Sequence, residues 1–109
     1  MDIYNEIRKA FRELDGTVDV IQLEVNRKKF PEAGYMAESS GGNSVFVMKF
    51  NKASLMRWAI WEIVLHEVTH KKLREEGYPN WKEHDDVFWN KYAELRKIIE
   101  NKIARIYGR

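Results

Sequence analysis

Apolar residues change rhythm several times along this chain, and each change marks an element. Ile3, Ile7, Phe11 and Leu14 recur at spacings of three or four, the period of an amphipathic helix that Asp15-Gly16 would end. The stretch TVDVIQLEV at 17–25 alternates and is rich in β-branched residues, so a strand is predicted there, with Val18 and Val20 among its apolar positions. NRKKFPEAG reads as a turn region, YMAE as a short strand and SSGGN as a loop tip. SVFVMKF at 44–50 alternates again, Val45 and Val47 to one side, Phe46, Met48 and Phe50 to the other. Residues 17–50 therefore read as a small, mostly antiparallel sheet. No internal repeat or linker interrupts the chain.

From about Ala53 to Glu76 the period becomes helical. Leu55, Met56, Trp58, Ala59, Ile60, Trp61, Ile63, Val64, Leu65 and Val68 leave the first half of this helix almost no polar face, so it is expected to run through the middle of the domain. Gly77 is a natural stop, and Pro79 prevents immediate resumption. Asn80 with Glu83 fits a loose capping box, predicting a new helix from Trp81. Its apolar face runs Trp81, His84, Phe88, Tyr92, Leu95, Ile99, Ile103, Ile106, which places His84 in the first turn, facing inward. The fold class that emerges is α+β, a single domain over residues 1–109.

Composition narrows the function classes. A chain of 109 residues is near the size of one domain, and 44% hydrophobic content with four tryptophans argues for a packed core. The net charge of +2 makes no electrostatic case for nucleic acid or an anionic membrane. There are no cysteines, so disulfides, thiolate metal sites and cysteine nucleophiles are excluded together. The most apolar run, Leu55 to Leu65, is interrupted by Arg57 and Glu62 and is too short to span a bilayer. MDIYNEIRKAF carries charges where a signal peptide needs an apolar stretch, so a soluble, cytoplasmic protein is expected.

The chemistry concentrates in HEVTH, residues 66–70. Residues four apart on a helix are separated by about 400° and about 6 Å of rise, so His66 and His70 project from one face. Two such imidazoles can take adjacent corners of a zinc tetrahedron. Glu67 points to the neighbouring side, where it serves as general base toward metal-activated water. A catalytic zinc needs a third protein ligand, and His84, the remaining histidine of three, is the candidate. The competing reading, histidines that merely hydrogen-bond within the core, leaves unexplained why all three fall into one geometrically sensible set. Glu62, Asp85 and Asp86 are near enough in sequence to be considered as acceptors for the distal histidine nitrogens, though each also reads as a solvated carboxylate. Tyr92 and Tyr78 are candidate oxyanion stabilisers, alongside their plainer role in packing. An extended peptide substrate is expected to add itself to NSVFVMKF by main-chain hydrogen bonds.

HEVTH followed by NWKEHDDVFW resembles the zincin metallopeptidases and, within them, the very short minigluzincins. The resemblance spans nearly the whole chain: a helix, a small sheet with an edge strand, an active-site helix, and a helix bearing the third ligand. It implies a zincin-like fold, one zinc ion and peptide or protein substrates. Most gluzincins take glutamate as third ligand whereas minigluzincins take histidine, which His84 matches. Minigluzincins resemble zymogens closed by a C-terminal segment, implying that residues from about 104 to 109 block the cleft. The motif is also similar to that of SprT-type peptidases, whose H-G-x-x-F is met here by His84 and Phe88 with Asp85 in place of the glycine. The histidine of the metzincin continuation is absent from KKLREEG. Two alternatives stay open: a zinc-stabilised binding module without turnover, and an SprT-like protease acting on DNA-bound proteins, against which the near-neutral charge argues. Oligomeric state and substrate specificity leave no mark in these residues.

Overall fold

The computed structural model describes residues 2–14, 18, 20–25, 34–38, 44–50 and 57–106. The predicted turn over 26–33, the loop tip at 39–43, the expected helix start at 53 and the last three residues lie outside the described residues. Within them the order is α1 (Ile3–Glu13), β1 (Val20–Val25), β2 (Gly34–Glu38), β3 (Ser44–Phe50), α2 (Arg57–Glu75) and α3 (Asp86–Ile106), an α+β arrangement.

Helix α1 begins where Asp2, in extended conformation, accepts from the Asn5 backbone N–H at 3.3 Å. That contact satisfies one of the donors a helix start leaves orphaned. Of its predicted stripe Ile7, Phe11 and Leu14 are buried and Ile3 is partly buried against the core, while Ala10 joins the buried face. Phe11 meets Phe46 of β3 edge to face, centroids 5.2 Å apart.

The sheet has the order β1-β3-β2. β2 pairs antiparallel with β3, Tyr35 opposite Val47, while β1 pairs parallel with β3, Ile21 beside Phe46. The sheet is thus mixed, and the expectation of a mostly antiparallel one is corrected at β1. Strand direction depends on how the chain returns between strands, which alternation within a strand does not encode. The same topology corrects a second expectation. NSVFVMKF contains the central strand, hydrogen-bonded on both sides, so its main chain has no open edge for a peptide. Phe46 and Val47 are both buried, as neighbours on a strand covered on two faces must be. In β1 the alternation begins only at Val20, so Val18 packs against the core, Val20 is 43% exposed, and Ile21 takes the inward position.

α2 is the central helix. Ile60, Trp61, Val64, Leu65 and Val68 join residues of α1, β1, β3 and α3 in one core. Each large side chain so buried contributes about 1.5–3 kcal/mol relative to exposure. Trp61 is fully buried, and its indole N–H donates to Glu6 Oε2 at 3.1 Å, which fastens α1 to α2 and gives the buried carboxylate a partner. α3 lies along α2 through Phe88, Leu95 and Ile99. Among the described residues three ion pairs tie it to neighbouring elements: Lys91 to Glu76 at 2.7 Å, Arg96 to Glu62 at 2.8 Å, and Lys102 to Glu13 at 3.2 Å. Being partly solvated, each adds at most about 1 kcal/mol, so apolar packing, not charge, sets the α2–α3 geometry. No helix among the described residues is long and apolar enough to cross a membrane.

Candidate metal centre

The second half of α2 carries the motif. Glu67, Val68 and Thr69 are buried while His66 and His70 are half-buried on one face. The Thr69 hydroxyl donates to the Leu65 carbonyl oxygen at 2.7 Å, so this polar side chain needs no outside partner. Beyond the motif α2 stops at Gly77, whose φ of 84° is the left-handed conformation that favours glycine. The Tyr78 N–H bonds the Leu73 carbonyl at 3.0 Å and the Gly77 N–H bonds that of Arg74 at 3.0 Å. This is a Schellman motif, and it fixes the direction in which the chain leaves the helix.

The connection to α3 differs from the expected helix start at Trp81. The Glu83 N–H bonds the Asn80 carbonyl at 2.9 Å, so Asn80 to Glu83 form a turn rather than a capping box. α3 begins at Asp86 instead, with Asp85 as its cap: Oδ1 accepts from the Phe88 N–H at 3.0 Å. Asp and Asn cap about equally well, and the Asp85 carboxylate adds a favourable charge at the positive end of α3. His84 therefore precedes the helix, exposed and outside its regular geometry, rather than lying inside its first turn.

This placement brings three imidazoles together. His84 Nε2 lies 3.0 Å from His66 Nε2 and 3.2 Å from His70 Nε2. Zinc–nitrogen bonds of about 2.0–2.1 Å at a tetrahedral angle would separate ligand nitrogens by about 3.3–3.4 Å, close to what is seen. Proton accounting points the same way. His70 Nδ1 is 2.7 Å from the Trp81 carbonyl oxygen, which only accepts, so Nδ1 bears the hydrogen and Nε2 a lone pair. One hydrogen on His84 Nε2 is then the most that could serve two neighbours, whereas a shared cation satisfies all three lone pairs at once. His66, His70 and His84 form the group able to hold a metal ion among the described residues. Their donor set, three neutral nitrogens without thiolate, suits zinc among other borderline cations.

Electrostatics keep these ligands available. Burial foremost, then the neighbouring His70 and His84, push the His66 imidazole down from 6.5 to about 4. Burial also lowers His70, partly opposed by its bond to the Trp81 carbonyl. Both are neutral, and so able to ligate, at neutral pH. Phe88 forms the apolar floor: its fully buried ring lies 5.0 Å from His66, 4.5 Å from His70 and 4.9 Å from His84. Trp89, 50% exposed, flanks His84 at 6.3 Å.

The remaining expected residues divide. Glu67 is 8% exposed and follows His66 directly on α2. The Tyr78 hydroxyl donates to Asp85 Oδ2 at 2.5 Å; that bond above all raises the tyrosine and holds the Asp85 carboxyl below its usual range. Tyr92 stacks toward Phe88 and Trp89, and its hydroxyl is raised chiefly by burial and then by Glu62. Glu62 pairs with Arg96, Asp85 caps α3 and Asp86 is exposed, so the acceptor for His70 is a backbone carbonyl rather than any of these carboxylates. Sequence reasoning misses Trp81 in that role because main-chain acceptors carry no residue signature. It finds Phe88 as a core position but not as the floor of the centre.

Neither a protein-family model nor a curated protein sequence matches this chain. Among solved structures it is similar to the crystal structure of the metallopeptidase zymogen of Pyrococcus abyssi abylysin, at 15% sequence identity and a TM-score of 0.49, over 97% of this chain and 96% of that one. A likeness of that extent transfers no residue role, so the chemistry of the centre rests on its own donors.

Proposed function

We propose that the protein is a zinc-dependent metallopeptidase. His66, His70 and His84 hold the ion and Glu67 is the general base and acid. The observation that carries this reading is the convergence of three histidine Nε2 atoms, 3.0 and 3.2 Å apart through His84, beside a buried glutamate one residue past the first ligand. Bound zinc supplies Lewis acidity, acidifying water and polarising a peptide carbonyl. Glu67 accepts a proton from the attacking water as the new C–O bond forms. It returns that proton to the departing nitrogen as the C–N bond breaks. Low exposure strengthens both transfers by excluding competing solvent. Phe88 holds the three rings in place, and the Trp81 carbonyl fixes the His70 tautomer.

For an oxyanion donor, Tyr92 is favoured over Tyr78, whose hydroxyl hydrogen is already given to Asp85. An extended substrate pairs best along β2, an edge strand among the described residues that packs against α2. A block of the cleft by residues 104–109 would be a latent form of the same enzyme; residues 104–106 continue α3, and 107–109 lie outside the described residues.

The test is zinc-loaded wild type against Glu67→Gln on casein and a quenched fluorogenic peptide. Loss of about 10²–10⁴-fold in turnover with zinc content unchanged is the expected result. Equal cleavage by both proteins sinks the peptidase assignment, and zinc binding without any cleavage leaves a zinc-stabilised binding module.

A further inference from the structure

His84 is the ligand that no helix holds. His66 and His70 are set by the repeat of α2, but His84 lies between the Asn80–Glu83 turn and the first residue of α3, largely exposed. Something other than regular structure must aim its ring. The residue after it, Asp85, has both carboxylate oxygens engaged: Oδ1 with the Phe88 N–H at 3.0 Å and Oδ2 with the Tyr78 hydroxyl at 2.5 Å. The second distance is in the charge-assisted range for O–H to carboxylate bonds. The Asp85 carbonyl is engaged too, accepting from the Trp89 N–H at 3.0 Å. At the other end Tyr78 is anchored to α2 by its own N–H on the Leu73 carbonyl, close beyond His70.

We propose that Tyr78 and Asp85 form a latch that closes the α2–α3 connection and positions His84 for the metal. Both are positioning residues that act through His84 rather than touching ion or substrate. The path is short and continuous. The Schellman end of α2 sets Tyr78, Tyr78 holds Asp85, and Asp85 holds both the start of α3 and the main chain of His84. The segment from Tyr78 to Asp85 is thereby tied at both ends to the helix that carries the other two ligands. Opening the Tyr78 bond leaves Asp85 its capping contact, so α3 persists, but frees the connection to swing and spreads His84 over more conformations. Ligand ordering then falls to metal binding instead of to folding, and affinity drops.

This inference rests on the three-histidine reading, so its test separates the two. Zinc affinity is measured by competition with a chromophoric chelator for wild type, Tyr78→Phe, His84→Ala and the double variant, with metal-free thermal midpoints alongside. The latch predicts that Tyr78→Phe weakens zinc binding about 10–100-fold while the metal-free midpoint moves little. It also predicts that the same change on the His84→Ala background has no further effect. Should Tyr78→Phe fail to fold, Asp85→Asn keeps an oxygen for the Phe88 N–H, weakens the tyrosine bond, and is expected to show the same dependence on His84. Unchanged affinity in the single variant, or an equal loss in both backgrounds, overturns the latch and leaves the metal centre standing. A wild type that takes up no zinc overturns both.

Discussion

His66 and His70 share a helix face and a motif, yet they are poised by different means. His70 is tautomer-locked by the Trp81 carbonyl, while His66 is kept neutral mainly by burial and by the two imidazoles near it. The lowered His66 value has a consequence for stability. Between 6.5, its ordinary value, and about 4, its folded value, the unfolded chain binds more protons at this site than the folded one. Stability is therefore fully present above that window and declines as pH falls through it. Urea unfolding of the metal-free protein should show a lower midpoint at the acid end of the window than at neutrality. His66→Gln should remove part of that difference. A midpoint equally pH-dependent in the variant contradicts the burial argument. A bound metal would compete with protons for the same nitrogens, so acid should also release it.

At the scale of elements, α3 acts as a spacer as much as a scaffold. From Phe88 beneath the histidines to Ile106 it is unbroken helix, a rise of about 27 Å at about 1.5 Å per residue. Lys102 is tied to Glu13 near that far end. Residues 104–106 thus continue the helix away from the centre. Residues 107–109 lie outside the described residues. Removing residues 104–109 from the zinc-loaded protein tests a C-terminal block: a marked rise in peptide hydrolysis is expected if they close the cleft, and unchanged hydrolysis by the folded, truncated protein argues against latency.

Elements also show what can be read in advance. The α2 motif is legible because a helix face is local: four residues of spacing settle which side chains meet. The arrival of His84 is legible as chemistry, being the one histidine left, but not as geometry. It depends on a glycine in left-handed conformation, a four-residue turn and a competition between Asn80 and Asp85 for the cap, each worth only about 1 kcal/mol. Strand order is out of reach for a different reason. Pairing is non-local, and the pattern of β3 reads much the same whether its neighbours run with it or against it.

On the scale of the whole molecule, the centre depends on α2 being held from several sides. α1 reaches it through Glu6 and Trp61, α3 through Phe88, Leu95 and Ile99, and the sheet through Phe46 in the shared core. A small domain of this kind has about 5–15 kcal/mol of net stability. Zinc at a thousand times its dissociation constant adds about 4 kcal/mol, so the metal would belong to the fold as well as to the reaction. The opposite case, a centre that merely decorates a domain already rigid, gives the ion no such leverage. X-ray absorption at the zinc edge of the loaded protein tests the three-histidine centre most directly. One ion per chain is predicted, with three imidazole nitrogens at about 2.0–2.1 Å and oxygen completing the shell. A shell with two imidazoles or fewer, unchanged by His84→Ala, would contradict it.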